Sequence, residues 1–205
     1  MTAALPKSPR KRPLAGVLIT GALAVALSAC ETAQEGYDSV SLLWSTPIIL
    51  PCPEFKIVAD AARLVKFRDG PGRDLIDVDV EGLIGNVTLA CLSKINKKTR
   101  QGSMEVEATV VFGAQRGPAN ATRKAILPYF ITVTDLNKTI LYREKFKVGV
   151  IYPGNQTSAK FAGENVTLQL PIDKKISQKD YVIYTGFQLT REQLEYNRAA
   201  IKARN

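Results

Sequence analysis

An alternation of apolar and polar residues, repeated from about residue 76 to residue 189, restricts this chain more than any other feature. "SMEVEATVVF" puts Met104, Val106, Ala108, Val110 and Phe112 on every second position. Successive side chains of a strand point to opposite faces, so a period of two marks a strand with one buried face. "LIDVDVEGLIGNVTLACLSKI" carries the pattern at Ile76, Val78 and Val80, and again from Val87 to Cys91. "AILPYFITVTD", "TILYREKFKVGVIY", "NVTLQLPI" and "DYVIYTGFQL" continue it. Turn signals separate the runs at Gly117-Pro118, Asp135-Leu136-Asn137, Pro153-Gly154 and Asp173. "TVTDLNKTILY" reads as a hairpin turning around Leu136–Lys138.

About seven strands at this spacing predict a mainly β fold: an antiparallel β-sandwich, Ig-like or similar, over residues 43–189. Residues 190–205 differ. "TREQLEYNRAAIKARN" opens on Thr190, whose hydroxyl can cap a helix, with Gln193 as the reciprocal partner of a capping box. Arg198, Lys202 and Arg204 gather at the far end, where cations suit the helix dipole. The apolar face of this helix is thin, limited to Leu194, Ile201 and alanines. It either lies on the sandwich with little stabilisation or offers a basic face to a partner.

The N-terminus has a different character. Lys7, Arg10, Lys11 and Arg12 precede an apolar run from Leu14 to Leu27, which ends in Leu27-Ser28-Ala29-Cys30. A basic start, a short apolar stretch and small residues at the exit describe a secretory signal peptide. The run is short for a bilayer of about 30 Å, which takes about 20 residues as a helix. From Pro6 to Glu31 the chain resembles a bacterial lipoprotein precursor, whose lipobox is matched by Leu27, Ser28, Ala29 and Cys30. The resemblance implies cleavage before Cys30, a diacylglycerol on its thiol and acylation (palmitate or similar) of the new amine. Residues 1–29 are then the signal peptide and 30–42 a polar tether. Glu31, where an Asp would favour retention in the inner membrane, points by the same resemblance to the outer membrane, with the domain facing the periplasm.

The chain has three cysteines. With Cys30 lipidated, Cys52 and Cys91 remain in a compartment where disulfides persist. A bridge between them closes a loop of about 40 residues, worth roughly 4 kcal/mol in chain entropy. The alternative is two buried free thiols.

Charge and composition narrow the function classes. Of 28 basic residues, four leave with the signal peptide, so 24 face 19 acidic ones and the net charge falls from +9 to +5. That mild balance argues against nucleic acid as a partner and suits anionic envelope surfaces. There is no histidine, which removes the commonest general base and the commonest zinc ligand. No catalytic site, metal site or cofactor is expected. The Asn-x-Ser/Thr triplets at Asn86, Asn120, Asn137, Asn155 and Asn165 are read as strand-and-turn composition, since the lipobox argues for a bacterium.

"FRDGPGRD" is the densest unusual segment, with Arg68, Asp69, Arg73 and Asp74 around Gly70-Pro71-Gly72. Two glycines flanking a proline make a tight turn. The bracketing charges either pair with each other or present an arginine fork to a carboxylate or phosphate. Neither a P-loop nor an EF-hand spacing is present. "CPEFKIVADAARLVKFRDGPGRDL" and "GFQLTREQLEYNR" are similar to envelope lipoproteins of alphaproteobacteria, a resemblance that brings no assigned activity.

The expected function is a lipid-anchored, non-enzymatic binding or accessory subunit of a cell-envelope assembly, transport or secretion complex. Contacts to an envelope protein partner are expected at Arg68, Asp69, Arg73, Asp74, Arg198 and Lys202. The alternative is a module for lipid headgroups or glycan.

Overall fold

A computed structural model describes residues 49–203. The expected signal peptide and tether, with Cys30, and Trp44 lie outside these residues. Eight strands form: β1 (Glu54–Ile57), β2 (Arg63–Phe67), β3 (Val78–Ile95), β4 (Gly102–Arg116), β5 (Lys124–Thr134), β6 (Ile140–Ile151), β7 (Ser158–Ile172) and β8 (Val182–Phe187). A helix, α1 (Arg191–Lys202), follows. The strands make two four-stranded sheets, ordered β1-β8-β5-β6 and β2-β3-β4-β7.

The alternation explains the packing. Met104, Val106, Ala108, Val110 and Phe112 of β4 are all buried, joined from β7 by Val166, Leu168, Leu170 and Ile172. Leu127, Tyr129, Ile131 and Val133 of β5 face them, with Ile183 and Phe187 of β8. Burying each large side chain contributes roughly 1.5–3 kcal/mol. Phe112 is the hub, edge-on to Tyr129 at 4.9 Å and near Phe161 and Phe187 at 5.8 and 5.9 Å. On β3 the buried set changes phase at a bulge between Ile84 and Asn86. Val80 and Ile84 point inward before it, whereas Val87, Leu89 and Cys91 pack on the core after it. One inserted residue shifts every later side chain to the other face, which is what the break in the sequence pattern recorded.

The sandwich is confirmed, with two refinements. There are eight strands rather than about seven, and the pairing of β1 with β8 is parallel; "EFKI", four residues directly after Pro53, was too short to show as a periodic run. Ile76, expected on a strand, instead lies 71 % exposed in a 3₁₀ turn at Leu75–Asp77, and Asp77 takes the inward place. The hairpin between β5 and β6 forms as expected, with Lys138 at positive φ and the Thr139 N–H donating to Asp135 Oδ1 at 2.8 Å.

Cys52 and Cys91 are joined by a disulfide, with Cα atoms 5.6 Å apart. The bridge ties the segment before β1, in one sheet, to β3 in the other. It does so beyond Leu83, the last β3 residue in register with β2. The staple thus closes a flank of the sandwich where the β2 ladder has ended.

Candidate functional site

The Phe67–Asp74 segment joins β2 to β3, and its arginines pair with carboxylates outside the segment rather than with Asp69 or Asp74. Arg68 Nε lies 2.6 Å from Asp77 Oδ1, an ion pair without hydrogen-bond alignment. The other carboxylate oxygen accepts the Asp74 N–H at 3.1 Å. Asp77 is buried beneath the turn, and a Cβ at Gly72 would stand 2.3 Å from its carboxylate, so only glycine fits there. Gly70 takes φ +117°, open to glycine and strained for other residues. Arg73 donates to the carbonyls of Gly70 and Gly72 at 2.8 and 2.7 Å, reaches Glu192 of α1 at 3.3 Å, and lies over the Phe67 ring at 5.6 Å. Asp74 forms a capping box with Asp77 at the start of the 3₁₀ turn, its carbonyl also accepting the Asp77 N–H at 3.0 Å, and Asp69 is exposed at the tip.

The helix begins with the expected capping box. Thr190 Oγ1 accepts the Gln193 N–H, and Gln193 Oε1 accepts the Thr190 N–H at 2.9 Å. Its docking is polar rather than apolar. Asn197, only 5 % exposed, donates from Nδ2 to the carbonyls of Asp60 at 2.9 Å and Arg63 at 2.7 Å. Arg198 binds Asp60 at 2.8 Å, and Tyr196 meets Phe67 edge-on at 5.8 Å. Ile201, expected on the buried face, is exposed.

These elements frame a groove. The 66–73 segment and residues 190–196 enclose a hollow of about 640 Å³ containing Arg68, Arg73, Glu192, Glu195 and Tyr196. A second hollow of about 850 Å³ adjoins it, sharing Lys66, Thr190 and Gln193. There the walls are Leu64, Ile126, Pro128, Val150 and Ile151, with Lys124 and Lys147 among them. Asp79 is the one carboxylate in this second hollow, and it is engaged by Lys66 at 3.1 Å and by Asn120 at 2.8 Å.

Of the residues expected from sequence, Arg68, Asp69 and Arg73 line the first hollow, on the same groove as the N-terminal half of α1. The Arg73–Glu192 pair links positions 119 apart in sequence. Arg198 is not with them: it lies in a separate hollow of about 430 Å³ beside Arg143 and Lys145, locked to Asp60. Lys202 stands exposed at the helix end. The groove's lysines were missed because they sit singly on three strands, and no local pattern announces a cluster assembled by packing. Asn120, read as composition, is a buried structural residue that accepts the Arg123 N–H and donates to Asp79 and to the Lys124 carbonyl.

Among the described residues no group of three or more Cys, Asp or Glu is placed to hold a metal ion. Chemically, the groove offers donors, cations and apolar walls, which suits recognition. No family model, curated protein or solved structure matches this chain.

Proposed function

We propose that this chain is a lipid-anchored periplasmic β-sandwich that serves as a non-enzymatic accessory or binding subunit of a cell-envelope assembly, transport or secretion complex. The lipobox ending at Cys30 supports the anchor, and Glu31 supports the outer membrane as its site. The groove beside the start of α1 carries the binding part of the reading. It combines cations, uncommitted polar groups and apolar wall on a rigid sheet framework, while the carboxylates around it are largely engaged in holding turns and helix in place. A protein partner fits such a mixed surface, since interfaces combine apolar anchors with a polar rim.

The test is chemical cross-linking in native membranes, followed by mass spectrometry of what co-purifies with the lipidated chain. One recurrent envelope complex, with cross-links to the 66–73 turn or to α1, is the expected result. Lipid or glycan retained without a protein partner would instead make this a headgroup- or glycan-binding module. Cys30→Ala should leave an unprocessed precursor lacking the lipid's mass, read by mass spectrometry; a chain still cleaved before residue 30 would refute the anchor.

A further inference from the structure

The edge of β5 beside Lys124 carries an inference that rests on, and deepens, the binding-subunit reading. Strand β8 stays in register with β5 only from Thr134 back to Tyr129. The Gln188 N–H still reaches the Pro128 carbonyl at 2.9 Å, and there the pairing stops. Proline has no N–H to continue a ladder. The Arg123 carbonyl accepts the Tyr152 N–H on the β6 side, so by alternation Lys124, Ile126 and Pro128 turn their backbone groups away from β6. The Lys124 carbonyl is occupied by Asn120 and Thr122. Among the described residues, the N–H and C=O of Ile126 therefore face the groove with no backbone partner: one full pairing site on a bare edge.

Side chains around this site are as uncommitted as the backbone. Ile126 is 63 % exposed and lies opposite Gly149, which has no side chain to cover it. Ile151 is 66 % exposed. Lys124 and Lys147 flank them without a carboxylate partner among the described residues. Lysine ammoniums, an exposed isoleucine pair and a free donor–acceptor pair call for different things. A lipid headgroup would answer the lysines only. Lys124, Ile126, Lys147 and Ile151 share the outer face of this sheet. An added strand therefore answers the free backbone pair and sets acidic side chains beside the lysines on that face, while its alternate apolar side chains turn inward toward Leu64 in the hollow.

We propose that this edge takes an extended acidic segment of a protein partner, paired to the backbone of Ile126 with its carboxylates beside Lys124 and Lys147. The full chain is titrated with a labelled peptide, Asp-Val-Glu-Val-Asp-Val. Parallel titrations use the same peptide N-methylated at two successive central amides, its lysine-for-acid counterpart, and phosphatidylglycerol vesicles. The acidic peptide is expected to bind, with at least about tenfold loss on N-methylation and again in the Lys124→Glu, Lys147→Glu variant. The lysine peptide is expected not to bind. Equal binding of the N-methylated peptide would reduce the site to charge adsorption and overturn the added strand. Vesicle binding through the two lysines, without peptide binding, would assign the site to a lipid surface. Failure of the acidic peptide to bind at all also overturns the proposal. A recovered envelope complex whose cross-links avoid Lys124 and Lys147 would sink this edge while leaving the accessory-subunit reading intact.

Discussion

The two sheets present very different surfaces to solvent. On the outer face of β3, β4 and β7, polar groups answer each other across strands. Glu105 accepts from Gln169 at 2.9 Å and Lys94 at 3.2 Å; Asn165 donates to Glu107 at 3.2 Å and accepts from Thr109 at 3.4 Å. Glu105 and Gln169 are register partners, as are Thr109 and Asn165. Cross-strand pairs of this kind stabilise a sheet modestly and leave little to recruit a partner. Around the N-terminal half of β5 and the facing part of β6, nothing comparable exists among the described residues: two lysines, two isoleucines and a backbone pairing site have no partner there. Both surfaces are strand-built and rich in charge, so composition does not separate them. Whether the groups meet does.

The largest expected effect concerns the frame that holds both surfaces in place. Replacing Cys52 and Cys91 by alanine should lower the unfolding free energy by roughly 4 kcal/mol, read from denaturant midpoints. An unchanged midpoint would mean that packing alone fixes the flank. Next comes the helix that walls the groove. Asn197→Ala leaves the half-buried carbonyls of Asp60 and Arg63 without their donor, at about 1–3 kcal/mol for a group left unpaired. The same change should raise hydrogen exchange across Arg191–Lys202 while β3, β4 and β7 stay protected. Uniform loss of protection would show that the helix and the sandwich unfold as one unit.

A pH series probes the answered carboxylates. Hydrogen bonds from Gln169 and Lys94 hold the Glu105 carboxyl below its ordinary range. Backbone N–H groups of Lys175 and Ile176 do the same for Asp173, and the Ser177 backbone and hydroxyl for Asp180. A carboxylate depressed in the fold contributes stability that is present above its unfolded pKa of about 4, and loses it as pH falls through the folded value. Thermal midpoints should therefore drop on acidification below about pH 4. Asp173→Asn with Glu105→Gln should flatten that drop; an unchanged slope would remove these bonds as its cause. The smallest effect is the most telling. Lys124→Glu with Lys147→Glu should leave stability within about 0.5 kcal/mol, as for surface sites that touch nothing. A larger loss would reveal intramolecular partners for these lysines and erase the contrast between the faces.

Much of the architecture was legible because strand burial has a local signature. Period two named the inward residues of β4 one by one; the bulge on β3 showed in the sequence only as an interruption of the pattern between Val80 and Val87. The Thr190 capping box was equally legible, since all its atoms lie within four residues. Ile76 misled because Asp77, four percent exposed in its side chain, took the buried place in exchange for Arg68, a trade that depends on a partner nine positions away. Half of the groove was visible as "FRDGPGRD", whose glycines and charges stand together in sequence. The other half was not, because Lys66, Lys124 and Lys147 become neighbours only once β2, β5 and β6 are packed.

By itself, then, the sequence determined a β-sandwich with a capped C-terminal helix, while the pairing of Cys52 with Cys91 was expected only through the resemblance that gives Cys30 to a lipid. The sandwich and the cap follow from side-chain periodicity and turn chemistry, which act over short stretches. Tertiary structure alone decided that β1 runs parallel to β8, that Asn197 rather than an apolar stripe docks the helix, and that Pro128 leaves a bare edge beside two lysines that have no carboxylate partner among the described residues. Each of these joins groups far apart along the chain, and only the packed fold brings them within hydrogen-bond or Coulomb range.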